Sequence, residues 1–209
     1  MDKLIILIPA YNELKNLNKI IKPNFNFLVI DDCSIDGTEK FLKEKKIDYL
    51  RNKKNIGYEA TILKGIKLII KEFKNYEIIC TIDGDNEHPK EKIRRVYEYF
   101  LKNDLDLLIC NRAKQNRFLE KIYSFLFFKR YNIKDPLSGM KFYKINSLKL
   151  ILNKVKNNHF LIDLVYYAIK KKFKIKNYKI STKENIKNSK IGYGINVNLK
   201  ITKLIKYLI

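Results

Sequence analysis

The chain's 209 residues suffice for one sizeable α/β domain and are short for two. Its 44 Lys and Arg against 22 Asp and Glu leave a formal charge of +22, a surface drawn to polyanions, whether nucleic acid or anionic lipid. No run approaches the roughly 20 apolar residues that cross a bilayer, no h-region or cleavage site follows Met1, and the widely spaced Cys33, Cys80 and Cys110 exclude a disulfide frame or a zinc spacing, reading instead as reduced thiols of a cytosolic protein.

Apolar runs rich in β-branched residues alternate with helical patterns along the chain. Lys3–Ile8 reads as a first strand and Glu13–Ile21 as a helix; Phe25–Ile30 is a second strand, followed by a helix from Gly37 to Lys45. Asp48–Arg51 fits a short strand, and Tyr58–Phe73 a long helix with Ile62, Ile66, Ile69 and Ile70 on one side. Strand Tyr76–Ile82, helix Pro89–Lys102 and strand Asp106–Cys110 follow. This alternation predicts an α/β fold, a mainly parallel sheet with helices on both faces. Beyond Asn111 the pattern loosens. An aromatic helix covers Phe118–Tyr131, apolar nearly all round and ending in Lys129 and Arg130, either buried in the core or lying at an interface. A loop contains Asp135 to Gly139, a helix spans Ile162–Lys172, and a last strand spans Phe173–Ile180. Residues 1–181 thus form one domain and 182–209 a basic tail. In that tail Ile201, Leu204, Ile205, Leu208 and Ile209 make a stripe with Lys200, Lys203 and Lys206 off it, an amphipathic helix for a membrane surface or for packing on the domain.

Several strands end in polar turns. The run Cys80 to Pro89 is the most informative: its apolar segment stops at Asp83, Gly84 and Asp85, then Glu87, His88 and a proline that can open a helix. Carboxylates gathered at a strand end repel unless a cation joins them. Hard oxygen ligands with a small glycine between them suit Mg²⁺ or Mn²⁺, which complete their shell with phosphate oxygens, although Asp and Gly are also ordinary turn formers. The first strand runs into Pro9, Tyr11, Asn12 and Glu13. The second runs through Ile30 into Asp31, Asp32, Ser34, Asp36, Gly37 and Thr38, acids able to hold base or ribose donors, and Asn55 to Ala60 opens the long helix. C-terminal ends of parallel strands are where open α/β sheets place their ligands.

Taken in order, these segments resemble the family 2 glycosyltransferases of the GT-A (nucleotide-diphospho-sugar transferase) fold over roughly residues 3–180. Pro9, Tyr11, Asn12 and Glu13 meet the family's opening Pro-x-Tyr-Asn-Glu, Asp31 to Thr38 its Asp-Asp-x-Ser-x-Asp-Gly-Thr, and Asp83 with Asp85 its Asp-x-Asp. Within that family the chain is similar to the dolichyl- and polyprenyl-phosphate sugar synthases, of dolichol-phosphate mannosyltransferase type, in Glu87-His88-Pro89, in Arg112 after a strand, and in Asp135, Ser138 and Gly139. Their Arg-x-x-Gly-x-Ser-Lys motif survives here only as Ser189-Lys190, because Glu184 and Lys187 hold the arginine and glycine positions; Lys183, Lys187 and Lys190 still supply cations.

The resemblance implies a hexosyl transfer, inverting at the anomeric carbon, from a nucleotide diphosphate sugar such as GDP-mannose or a UDP-hexose to a polyprenyl or dolichyl phosphate. Tyr11 and Asp32 are expected to hold the base and ribose, with Pro9, Glu13 and Ile30 shaping the pocket; Asp83, Gly84, Asp85 and Glu87 are expected to hold Mg²⁺ or Mn²⁺ on the diphosphate, Asp83, Asp85 and Glu87 as its ligands. Arg112 and Lys190 add charge on the phosphate side, and Arg130 with Lys129 cradles the acceptor phosphate. A lipid phosphate, with a second pKa near ~6, needs no base. A saccharide hydroxyl needs one, and Asp163 is then the candidate, against its ordinary reading as a carboxylate at a helix N-terminus. The expected setting is the cytoplasmic face of an anionic membrane, with peripheral attachment or a membrane-embedded partner protein. A basic RNA-binding module is the rival from another class, and it leaves the acidic strand ends unexplained.

Overall fold

The computed structural model describes residues 3–86, 92–113, 118–156, 159–180 and 204–208. Seven strands form one sheet in the order β3-β2-β1-β4-β6-β5-β7. They are β1 (Leu4–Ala10), β2 (Asn26–Asp31), β3 (Asp48–Arg51), β4 (Ile78–Thr81), β5 (Leu107–Asn111), β6 (Lys141–Lys144) and β7 (Ile175–Lys179). The helices are α1 (Leu14–Ile20), α2 (Thr38–Glu44), α3 (Tyr58–Glu72), α4 (Ile93–Lys102), α5 (Phe118–Tyr131), α6 (Ile145–Lys149) and α7 (Phe160–Lys170).

Side chains alternate across a strand, so β1 feeds two cores. Leu4, Ile6 and Ile8 face one side with Leu17 of α1, Leu42 of α2, and Val96 and Phe100 of α4. Ile5 and Leu7 face the other with Ile62 and Ile66 of α3, Phe127 of α5 and Val165 of α7. Helices therefore cover both faces, and the doubly covered strands read as continuous apolar runs because both sides are buried. Cys80 and Cys110 sit inside this core, Cys33 is half-buried, and all three are free thiols.

One strand departs from the expected pattern. β6 pairs antiparallel with both β4 and β5, placing Thr81 and Ile109 on either side of Lys141. The pattern beyond Asn111 is too irregular to predict this strand from sequence. The consequence is positional: an antiparallel strand starts where its parallel neighbours finish, so the Asp135–Gly139 loop enters at the edge where β1, β2, β4 and β5 end.

The tail also has a described fragment. Leu204–Tyr207 is a single 3₁₀ turn, and Leu204 and Tyr207 are buried in the core beneath α5 and α7. Tyr207 lies off the expected stripe, while Ile205 on it is half-exposed. The Tyr131 hydroxyl donates to the Tyr207 carbonyl at 3.0 Å.

Helix α3 rides low on the sheet because Gly65 has no side chain: a Cβ there would lie 2.5 Å from Leu7 Cδ1 and 2.9 Å from Ile30 Cγ1. Overpacking a filled core costs about 1–3 kcal/mol, so Gly65→Ala is expected to lower urea-unfolding stability by that amount despite alanine's better helix propensity. An unchanged midpoint would show that α3 can lift without cost.

Candidate active site

The loops after β1 and β2 are tied to each other before any ligand is considered. Asn12, at φ 55°, donates its backbone N–H to Ser34 Oγ at 2.9 Å, and its side-chain oxygen accepts the Ile35 N–H at 2.8 Å. Asp36 accepts the Leu14 N–H at 3.0 Å and the Thr38 N–H at 3.1 Å, linking the starts of α1 and α2. Burial works against its charge, but the Thr38 hydroxyl, donating at 2.6 Å, and these N–H donors outweigh it and hold the carboxyl below its ordinary range.

The adjacent acids divide the work. Asp31 is fully buried, accepts the Ser34 N–H at 2.9 Å and pairs with Arg51. Asp32 accepts Asn52 Nδ2 at 2.8 Å, the Ile56 N–H at 2.9 Å and the Gly57 N–H at 2.9 Å, so it pins the loop ahead of α3. Gly57 turns there at φ 88°, a conformation open to glycine. An ionised carboxylate has about four lone-pair positions, which leaves Asp32 one beyond these three bonds. Tyr11 stands beside this clamp with its ring partly in solvent. Ile30, expected to shape the pocket, is wholly buried beneath Gly65 of α3.

The Asp83-Gly84-Asp85 turn is held between two loops. On one side Gly84 meets the Pro9 carbonyl, where an added Cβ would lie at 2.9 Å, with Glu13 Cγ at 3.3 Å. On the other, a Cβ on Gly139 would fall 2.6 Å from Asp83 Cγ. The Thr81 hydroxyl fixes Gly139 by donating to its carbonyl at 2.7 Å, and the Ser138 hydroxyl donates to the Cys110 carbonyl at 2.6 Å. Tyr58, at the first turn of α3, donates its hydroxyl to Asp83. Burial, reinforced by the Asp83 charge, keeps that phenol protonated well above its ordinary range.

Behind this turn lies a buried charge cluster. Asp135, almost fully buried, takes Arg112 Nε at 2.9 Å and Nη2 at 3.0 Å, and also its backbone N–H at 3.1 Å. Glu120 of α5 adds a carboxylate 3.6 Å from Arg112 Nη2. Burial opposes the guanidinium charge, but the paired carboxylates raise its pKa. Lys141 is completely buried and donates to the Ser138 carbonyl. Burial pushes its ammonium down to about 8, against the pull of Asp135 and Asp83.

The structure thus gathers Pro9, Glu13, Asp83, Gly84, Asp85 and Arg112 at one sheet edge with the Asp32 clamp. Glu87 and Lys190, with the rest of the Ser189-Lys190 motif, lie outside the described residues. Arg130 is ten residues beyond Glu120 on α5, about 15 Å along the helix axis, and its Nε donates to Tyr131 Oη at 3.1 Å. Asp163 is buried; it accepts the Lys156 N–H at 2.8 Å and the Tyr207 hydroxyl, in the first turn of α7, where the helix dipole also favours it.

Among the described residues no three His, Cys, Asp or Glu side chains converge as a ligand set. The donor chemistry nevertheless fits a hard divalent ion. Mg²⁺-type sites use one or two carboxylates together with waters and substrate phosphates, and Asp83 and Asp85 supply two. Sequence reasoning missed Lys141 and Tyr58 as contributors. Nothing in Lys141-Phe142-Tyr143-Lys144 distinguishes a buried lysine from a solvated one, whereas Tyr58 at the start of a helix behind Asn55-Ile56-Gly57 was open to suspicion.

A mainly parallel sheet that delivers acidic and glycine-containing turns to one edge defines a nucleotide-binding class of α/β enzyme. Residues 5–156 match the family described as Glycosyl transferase family 2, and the chain belongs to that family: it is a glycosyltransferase. It is 23% identical to UDP-N-acetylglucosamine–dolichyl-phosphate N-acetylglucosaminyltransferase of Methanococcus voltae, over 94% of this chain and 91% of that one. It is 25% identical to dolichol-phosphate mannosyltransferase of Pyrococcus furiosus, over 66% of this chain and 45% of that one. Within the family it therefore resembles the polyprenyl-phosphate sugar synthases. Its GT-A fold is shared with glucosyl-3-phosphoglycerate synthase from Mycobacterium tuberculosis crystallised with UDP, at TM-score 0.72 and 14% identity, covering 99% of this chain and 79% of that one. The same enzyme with Mn²⁺, UDP-glucose and phosphoglyceric acid gives TM-score 0.73 at 14% identity, covering 99% and 78%.

The buried lysine makes a pH-dependent stability term. Lys141 releases its proton near pH 8 in the folded chain and near 10.5 when unfolded. Between those values the unfolded state holds more protons, so stability rises with pH. Compared with Lys141→Met in paired urea titrations, the wild type is expected to gain about 2 kcal/mol between pH ~7 and ~9.5. Parallel curves for the two proteins would mean that the ammonium reaches solvent.

Proposed function

We propose that this glycosyltransferase moves a hexose from a UDP- or GDP-sugar to a polyprenyl or dolichyl phosphate at the cytoplasmic face of a membrane, with Mg²⁺ or Mn²⁺. The observation that carries the reading is the Asp83-Gly84-Asp85 turn wedged between the Pro9 carbonyl and Gly139, with Arg112 alongside. Two relatives whose names specify dolichyl-phosphate acceptors support it, as do neighbours of the same fold crystallised with UDP and Mn²⁺.

In this reading Tyr11 lies against the base and the remaining lone pair of Asp32 takes a donor from base or ribose. Asp83 and Asp85, with Glu87, would hold the ion, which would supply Lewis-acid neutralisation of the nucleoside diphosphate. Tyr58 and Gly139 set the Asp83 carboxylate in place, and Arg112, itself fixed by Asp135, adds positive charge on the side where the leaving group becomes more negative. Lys190 contributes a second cation there.

The acceptor phosphate is its own nucleophile. It is largely dianionic above pH ~6, and Arg130 with Lys129 guides it. The transfer inverts the anomeric centre by direct displacement. Both oxygens of Asp163 already accept hydrogen bonds, from Lys156 and Tyr207, which favours an acceptor that needs no base over a saccharide hydroxyl.

The test is transfer of labelled sugar from a panel of UDP- and GDP-sugars into organic solvent, with polyprenyl phosphate and Mn²⁺ or Mg²⁺. Asp85→Ala is expected to reduce transfer at least about a hundredfold, roughly 3 kcal/mol of barrier. Gly139→Ala, which displaces Asp83 without removing a ligand, is expected to cost about tenfold or more. Full activity in Asp85→Ala would refute the metal assignment, and label reaching only water-soluble saccharides would refute the acceptor.

A further inference from the structure

Helix α5 presents its apolar side outward. Tyr123, Ser124 and Phe127 are buried against the domain, whereas Phe118 is 75% exposed and Phe125 58%, with Ile122 and Leu126 each more than a third exposed. Positions 118, 122, 125 and 129 follow one another at helical spacing, and Leu126 flanks the same stripe. A surface helix normally hides such a stripe, and a contiguous exposed apolar face marks an interaction site.

Among the described residues of α5, the exposed charges beside this stripe have one sign. Lys121, Lys129 and Arg130 are exposed, and Lys129 Nζ lies 5.5 Å from the centre of the Phe125 ring. The helix's one acid, Glu120, is buried on the opposite side, 3.6 Å from Arg112. Water-exposed aromatics flanked on their own helix by Lys121, Lys129 and Arg130, on a chain of net charge +22, complement a surface that is apolar within and anionic at its rim. A bilayer containing acidic lipid has that chemistry: the rings enter the acyl boundary while the lysines extend to the headgroups.

We propose that the outer face of α5, built on Phe118, Ile122, Phe125 and Leu126, docks the enzyme on an anionic lipid bilayer. The inference deepens the acceptor reading and rests on it for purpose but not for binding. Through Glu120 the first turns of α5 adjoin Arg112, so docking brings the headgroup layer to the side of the site that carries the phosphate-binding charge. The orientation is set by the helix, since the opposite face is committed to the core.

The experiment uses the whole chain in sedimentation with phosphatidylcholine vesicles, with and without phosphatidylglycerol, at low and high salt. Wild type is expected to bind the anionic vesicles and to release partly as salt screens the lysines. Phe118→Ser combined with Phe125→Ser is expected to weaken binding about tenfold or more with unchanged thermal melting, since both rings lie outside the core. Leu101→Ser, removing an exposed apolar residue of α4, is expected to bind like wild type. Undiminished binding by the double variant overturns the proposal. So does a wild-type dimer in analytical ultracentrifugation that the double variant converts to monomer, because the face then belongs to a second copy. Sugar transfer to a short, detergent-soluble polyprenyl phosphate separates the two readings: retained transfer with lost vesicle binding concerns docking alone, whereas vesicle binding without transfer overturns the acceptor and spares the docking face.

Discussion

The Asp83 carboxylate rests on the backbone of Gly139 so closely that a methyl group between them would overlap it, and the loop bearing Gly139 gets there because β6 runs against its neighbours. Had β6 been parallel, its preceding loop would have entered at the far edge of the sheet. Ser138, Gly139, Thr81 and Tyr58 together fix one carboxylate from below and beside, while the Pro9 carbonyl receives Gly84 from the other direction. The position of the Asp83 carboxylate is thus set largely by backbone contacts, which reorganise less than side chains.

That arrangement places acids and bases out of water, where unpaired charge is costly. The buried charges named above have partners close by. Arg112 is paired twice by Asp135, Arg51 answers Asp31, and Lys141 uses the Ser138 carbonyl with Asp135 and Asp83 nearby. Arg112 and Lys141 therefore stand behind the carboxylates as partnered cations. The chain's net charge of +22 is a separate matter, carried largely by exposed lysines outside this cluster.

The helices on the α3 side of the sheet serve two masters. α3 supplies Tyr58 to the site and Gly65 to the core. α5 supplies Glu120 to Arg112 and Phe127 to the core, and still leaves an apolar stripe outside. α7 closes the same core and receives the tail through Tyr207, whose ring lies 5.2 Å from that of Tyr166. The described end of the tail is thereby part of the domain's packing, and the Asp163 carboxylate is one of the groups that hold it.

The sequence by itself determined the parallel half of the sheet, the helices on both faces, and the order of polar turns at the strand ends. Those follow from local patterns: apolar runs that need two covered faces, 3.6-residue stripes such as Ile62, Ile66 and Ile69, and turn residues such as Asp36-Gly37-Thr38. The sequence also singled out Asp83 and Asp85, because carboxylates two apart after an apolar strand are chemically conspicuous, and Arg112 through the family resemblance. Long-range contacts alone set β6 antiparallel, bury Lys141, commit Asp32 largely to its own loop, bond Asp163 to Tyr207, and leave Phe118 and Phe125 on the outer face of α5. Each of these depends on pairing or contact between residues tens of positions apart. A lysine, an aspartate or a phenylalanine carries the same local signal whether its partner is a distant residue of the same chain or water.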